Sequence, residues 1–208
     1  MFITTTEQPV DNRLDHPTFS PVTKAMTSTW TTPRILAIDP GTSLMGVAVL
    51  ESHDLVYYAV KELRWHRPAS RLMSATRNLV NDLIDRYRPT VLAYEQSVYV
   101  QQMSSRLLRA EEQEIRRTAK VAGLQVIAYT PTHVRQSLCG DPWSTKHMVA
   151  ARLVERFPEL ARYRTSQSLR SERYWLNMFD ALAVAVVAVS ELDGGAGRNY
   201  GPSGARAA

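Results

Sequence analysis

The alternation of apolar and polar positions along the chain predicts most of its elements before any chemistry is considered. Residues 34–39, Arg-Ile-Leu-Ala-Ile-Asp, form a short apolar run stopped by Pro40 and Gly41, the mark of a buried strand. Residues 45–51 and 55–63 are β-rich and separated by Ser52, His53 and Asp54, which predicts antiparallel neighbours joined by a turn. From Pro68 the period becomes helical. Leu72, Thr76, Leu79, Val80, Leu83, Ile84 and Tyr87 share one face, and Pro89 blocks further extension. Residues 90–95 read as a second buried strand, 104–122 as a charged helix closed by Gly123, and 124–129 as another strand ending at Pro131. Two helices are expected at 132–138 and 144–157, the second with Ser144 as its N-cap. A link rich in Arg, Ser and Tyr, 158–173, leads to a final apolar helix at 174–192. Three strands, then alternating helix and strand, then helices predict an α/β layer fold with a mixed sheet.

The two ends differ from this middle part. Residues 1–33, rich in Thr, Pro and Asp, and 193–208, rich in Gly, Ala, Arg and Pro, are expected to be disordered arms around one domain at 34–192. Of the net charge of +5, residues 1–33 carry −1, 34–192 carry +5 and 193–208 carry +1. The basicity therefore belongs to the folded part and suits a polyanionic partner, although many proteins without one are as basic. The single cysteine, Cys139, allows no disulfide within the chain and fits a reducing, cytoplasmic setting. The start lacks the apolar core of a signal peptide. The longest apolar run, 181–189, falls short of the roughly 20 residues of a bilayer span, so no membrane association is expected.

Three acids carry the candidate chemistry. Asp39 ends the first strand, where ligands of open α/β sheets usually bind, and Pro40-Gly41-Thr42 follow it. Taken alone, Asp-Pro-Gly is equally common turn chemistry. Glu95 ends the next apolar strand and would lie beside Asp39 if the two strands are neighbours; otherwise it is an edge residue in solvent. Asp180 sits inside a helix apolar nearly all round, where a charge is costly unless it is paired, for instance with a nearby arginine, or bound to a metal. Three converging carboxylates repel one another, and a hard divalent cation such as Mg²⁺ or Mn²⁺ relieves that repulsion. No Cys/His spacing for zinc and no Walker lysine loop is present.

Taken in order, Ile-Leu-Ala-Ile-Asp39-Pro-Gly-Thr-Ser-Leu-Met-Gly46, Val-Leu-Ala-Tyr-Glu95-Gln, Ala-Tyr-Thr-Pro131-Thr-His-Val-Arg135-Gln, Gly140 followed by Lys146, and Asp180-Ala-Leu-Ala-Val-Ala resemble the RuvC family of Holliday-junction resolvases. The motifs cover nearly all of 34–192. The resemblance implies a ribonuclease H-like fold, a mixed central sheet flanked by helices. It implies a homodimer making paired nicks in branched DNA, and Mg²⁺ held by Asp39, Glu95 and Asp180. By the same match Lys146 falls near the scissile phosphate. Tyr99 falls on an aromatic that meets bases at the opened junction, and Arg135 on a basic position, from which it could contact phosphate. A core tyrosine, a surface arginine and an exposed helix lysine are the plain alternatives for these three.

The chain departs from the family pattern at three places. Asn177 stands where an Asp or a His is usual, three residues before Asp180 on the same helix face, so its amide oxygen offers the metal a neutral ligand. The link 158–173 is long and carries Arg162, Arg164, Arg170 and Arg173, which either contact DNA or decorate a solvated loop. The N-terminal arm is additional. Two other functions compete. A phosphotransferase of the actin and sugar-kinase class also opens with Asp-x-Gly-Thr, but it needs a second glycine-rich phosphate loop that this chain lacks. A junction-binding protein that no longer cuts is the stronger rival, because of Asn177.

Overall fold

The computed structural model describes residues 33–63, 68–97, 103–164 and 169–196. Its centre is a sheet of five strands in the order β3-β2-β1-β4-β5. These are β1 (Arg34–Asp39), β2 (Leu44–Glu51), β3 (Asp54–Glu62), β4 (Val91–Glu95) and β5 (Gln125–Tyr129). The first three strands are antiparallel, with Ser52 at φ 54° in the β2–β3 turn, whereas β1, β4 and β5 run parallel. The mixed sheet follows from this, as the element order predicted.

Period-two alternation sorts the strand side chains into two cores. Leu36, Ile38, Leu92 and Tyr94 point to the face covered by α1 (Ala69–Tyr87) and α2 (Met103–Val121). Ile35, Ala37, Val91 and Ala93 point to the other face, which is covered by α6 (Leu169–Ala196). With both faces covered, β1 and β4 must be apolar at every inner position, which is why they read as continuous runs. Outside α6 pack α3 (Pro131–Cys139), α4 (Lys146–Arg156) and α5 (Ala161–Arg164). Sandwiched between these helices and the sheet, α6 buries every residue from Met178 to Val189, so its sequence is apolar all round.

Three expectations are corrected. The link 158–173 is largely helical: a 3₁₀ turn at Pro158–Leu160 leads into α5, with Leu160 and Tyr163 buried. Two anchors alone in an arginine-rich stretch are too few to define a period. The last helix starts at Leu169 and ends at Ala196, so it takes in the end of that link and the start of the expected tail. The N-cap of α4 is Thr145, whose hydroxyl accepts from Met148 N at 3.3 Å, while Ser144 is buried. The arms expected at 1–33 and 193–208 otherwise lie outside the described residues. One stretch of α6, Tyr174–Gly194, is long and apolar enough to cross a membrane by length and composition, longer than the 181–189 run suggested, and most of it is buried in the fold.

Candidate active site

β1 and β4 are parallel neighbours, with Ile38 opposite Tyr94. Their last residues, Asp39 and Glu95, therefore end side by side, and alternation turns both towards α6. Across β1–β2, Asp39 pairs with Gly46. A Cβ on Gly46 would lie 1.8 Å from the Asn177 carbonyl oxygen and 2.4 Å from its carbon, so the α6 backbone rests directly on β2. Asp180 follows Asn177 by about one helical turn and is 6% exposed. Three acids from three elements thus converge at one end of the sheet. Asp39 and Glu95 keep part of their surface open, as groups that meet a substrate must.

The electrostatics follow from burial and crowding. Burial, then the charges of Asp180 and Glu95, push the Asp39 carboxyl well above the usual carboxylate range. Glu95 is pushed up to about 7 by burial and by Asp180, against the opposing pull of Lys146 and Arg135. Burial also raises Asp180, although Lys146 and Arg135 draw it back. Lys146 begins α4, and its ammonium pairs with Asp180 Oδ2. Burial works against its charge, but Asp180, Asp39 and Glu95 outweigh that and raise its pKa. One ammonium is thus in contact with Asp180 and also feels Asp39 and Glu95. The ion-pair partner of Asp180 is this lysine, and not one of the arginines that stood as the alternative to a metal.

Arg135 projects from α3, half-buried and near enough to act on both Glu95 and Asp180. Asn177 Nδ2 donates to the Tyr174 carbonyl at 3.2 Å, which ties the amide back along α6. Among the described residues, no three His, Cys, Asp or Glu side chains are gathered tightly enough to hold a metal ion as they stand. Tyr99 lies outside the described residues, as do the side chains of Arg170 and Arg173. Arg162 is engaged with the Tyr58 hydroxyl at 3.4 Å and with the Tyr163 ring, and Arg164 is exposed at the end of α5.

Two further carboxylates on α2 escaped the sequence reading. Glu111, 0% exposed, lies under the opposite face of the sheet. Its Oε1 is 3.4 Å from the Thr76 hydroxyl, and burial pushes its carboxyl up to about 8. Its charge is also felt at Asp39. Glu112 accepts from Ser97 N at 2.9 Å and so fastens the backbone two residues beyond Glu95. A signal did exist: Leu107, Glu111, Ile115 and Ala119 recur every four residues, which places an acid in the middle of an otherwise apolar stripe.

Comparison with known proteins agrees with the motif order. Residues 35–188 match the family model for crossover junction endodeoxyribonuclease RuvC. The chain is 31% identical over 122 residues to the protein of that name from Caldanaerobacter subterraneus subsp. tengcongensis, covering 56% of this chain and 73% of the relative. It is 32% identical over 123 residues to the one from Akkermansia muciniphila, with 56% and 73% covered. Among solved structures, Thermus thermophilus RuvC in complex with Holliday junction substrate superposes with a TM-score of 0.63 at 22% identity, over 78% of this chain and 96% of the other. The yeast mitochondrial Holliday junction resolvase Ydc2 gives a TM-score of 0.58 at 13% identity, over 77% and 79%. At these identities the structures speak for the fold, which is that of the RuvC-type, ribonuclease H-like resolvases.

Proposed function

The chain belongs to the RuvC family of crossover junction endodeoxyribonucleases, and from that premise we propose that it cuts four-way junctions or related branched DNA by metal-dependent phosphodiester hydrolysis. The observation that carries this reading is the convergence of Asp39, Glu95 and Asp180 from two strand ends and one core helix. Their chemistry fits a hard divalent cation: all are oxygen donors, and the crowding that raises their pKa values is what such a charge relieves. Asp39, Glu95 and Asp180 would hold Mg²⁺, or Mn²⁺ in its place, with Asn177 offering a weaker, neutral oxygen. When bound, the ion polarises the phosphate and lowers the pKa of water beside it.

The chain's own groups do the rest. Lys146 holds the negative charge that builds on the phosphate in the transition state. Arg135 grips a neighbouring phosphate and fixes the register of the strand. Tyr99 stacks on an unpaired base, and Arg164, Arg170 and Arg173 contact the DNA backbone outside the site. A homodimer in the cytoplasm supplies the two sites that paired nicks require.

A junction-binding protein that does not cut is the rival, favoured by Asn177 and by the hold of Lys146 on Asp180. A synthetic four-way junction separates the two. With Mg²⁺ the protein should nick it, and Asp39→Asn, Glu95→Gln or Asp180→Asn should abolish nicking while gel-shift binding survives. Near-normal cleavage by Asp180→Asn would remove the acid on which the site turns. Binding without cleavage at every Mg²⁺ and Mn²⁺ concentration would establish the rival.

A further inference from the structure

We propose that Trp143 is a base-stacking residue that holds a nucleobase of the DNA strand beside the scissile phosphate. The inference deepens the junction-endonuclease reading and rests on it.

Trp143 is 82% exposed although it is one of the largest apolar side chains in the protein. A second exposed apolar side chain, Met148, lies only five residues further on, and Lys146, whose ammonium pairs with Asp180, falls between them. Lys146 is three positions after Trp143, so their Cα atoms are at most about 11 Å apart. The loop that carries the indole therefore leads straight into the start of α4, where Lys146 reaches the acid cluster.

The loop that carries it is fastened on both sides. Before it, Gly140 N donates to the Gln136 carbonyl at 2.9 Å, and Gln136 Nε2 donates to the Gly140 carbonyl at 3.0 Å. The Trp143 backbone N–H donates to Asp141 Oδ1 at 3.0 Å, and Ser144 N donates to the Asp141 carbonyl at 3.2 Å. After it, Ser144 is buried and Thr145 caps α4. The backbone on both sides of the indole is thus held in place, and the side chain stands in solvent.

An exposed flat ring three positions before a cation matches the two parts of a nucleotide, a base with a π face and an anionic phosphate. Stacking tolerates any base, so it suits a group that steadies a strand without reading its sequence. Lys146, three positions on and already directed at the acid cluster, makes a nucleotide, with its base and its phosphate, the better occupant than an apolar protein surface.

The test uses the full chain and a four-way junction carrying 2-aminopurine, in turn, at each position around the nick. Wild-type protein should change the fluorescence at one such position. Trp143→Ala should abolish that change and raise the junction Kd roughly tenfold, the effect expected for one stacked base. Trp143→Phe should restore most of both, and Trp143→Leu neither, because a ring and not mere apolar bulk is required. Since the side chain is exposed, all three variants should keep the wild-type melting profile. Wild-type affinity and fluorescence in Trp143→Ala, with the wild type still cutting, would overturn the proposal and leave the junction-endonuclease reading intact. Equal rescue by Leu and Phe would also overturn it. A wild-type protein that neither binds nor cuts branched DNA would remove that reading, and this proposal with it.

Discussion

Gly46→Ala is the smallest change that reaches the acid cluster through the fold. The added Cβ would lie 1.8 Å from the Asn177 carbonyl oxygen, 2.4 Å from its carbon and 3.2 Å from Met178 N. All three are backbone atoms of α6, so no side-chain rotation removes the clash. To reach the 3.4 Å at which ordinary contact begins, helix and strand must separate by about 1.6 Å. Overpacking of this kind costs ~3 kcal/mol where rigid atoms meet. For a chain of this length that lowers Tm by roughly 6–12 °C. The shift also displaces Asp180, about one turn along α6, relative to Asp39, and an ångström of misplacement can cost on the order of a hundredfold in rate. The assay pairs a thermal melt with single-turnover nicking of saturating junction, well below the Tm of the variant. Leu83→Ala is the control. Leu83 is buried against the opposite face of the sheet, so its loss should lower Tm by a similar amount and leave the nicking rate within a fewfold of wild type. If Gly46→Ala matches wild type in Tm and rate, the close approach of α6 to β2 does not set the position of Asp180. If it loses stability but nicks as Leu83→Ala does, the approach stabilises the fold without aligning the acids.

Two other outcomes follow from the charges. Lys146→Ala should lower the single-turnover rate on saturating junction by on the order of a hundredfold with little change in Kd, as expected for a group that acts on the transition state; a larger effect on Kd than on rate would make it a DNA-holding lysine only. Glu111→Gln tests the buried acid on α2. Its carboxyl is pushed up to about 8 from an ordinary 4.5, so between those values the folded protein holds a proton that the unfolded chain releases, and stability falls as pH rises through that window. The glutamine variant does not titrate, so it should be more stable than wild type by about 1–3 kcal/mol near pH 8.5 and show no such gain near pH 4.5. Melts that run parallel across this range would show that Glu111 stays charged in the fold.

Local pattern carried the sequence reading wherever one element explains itself. β1 and β4 are buried on both faces, so they appear as apolar runs, and an acid closing each run stands out. The apolar circumference of α6 made Asp180 conspicuous for the same reason. What the sequence could not show was contact between distant elements. The pairing of Lys146 with Asp180 spans 34 residues, and nothing near either residue announces it. Gly46 stood out only as the end of the first family-like motif, inside an expected strand, but its lack of a side chain serves a helix more than a hundred residues later in the chain. Leu160 and Tyr163 hid among arginines because two anchors are too few to define a period. Ser144 and Thr145 are both good caps, and only the packing of Ser144 into the interior decides between them.

The Lys146–Asp180 pair also links the stability of the site to its proposed chemistry. Burying three carboxylates at one end of the sheet is unfavourable, and a single ammonium offsets only part of it. Full neutralisation by the fold's own cations would leave no reason for a divalent ion to bind, whereas no cation at all would drive the acids to protonate and lose their affinity for metal. One lysine, partly open to solvent and at the start of a helix, lies between these limits. Arg135 adds a weaker pull from α3. On the proposed function, the negative charge that remains is the driving force for metal binding, and an ammonium that leaves Asp180 for the incoming phosphate moves positive charge from the protein to the substrate. Asn177 fits the same logic. On the proposed function, a carboxylate at this position would add repulsion to a cluster that Lys146 and Arg135 balance incompletely, and the neutral amide would avoid it at some expense in metal affinity.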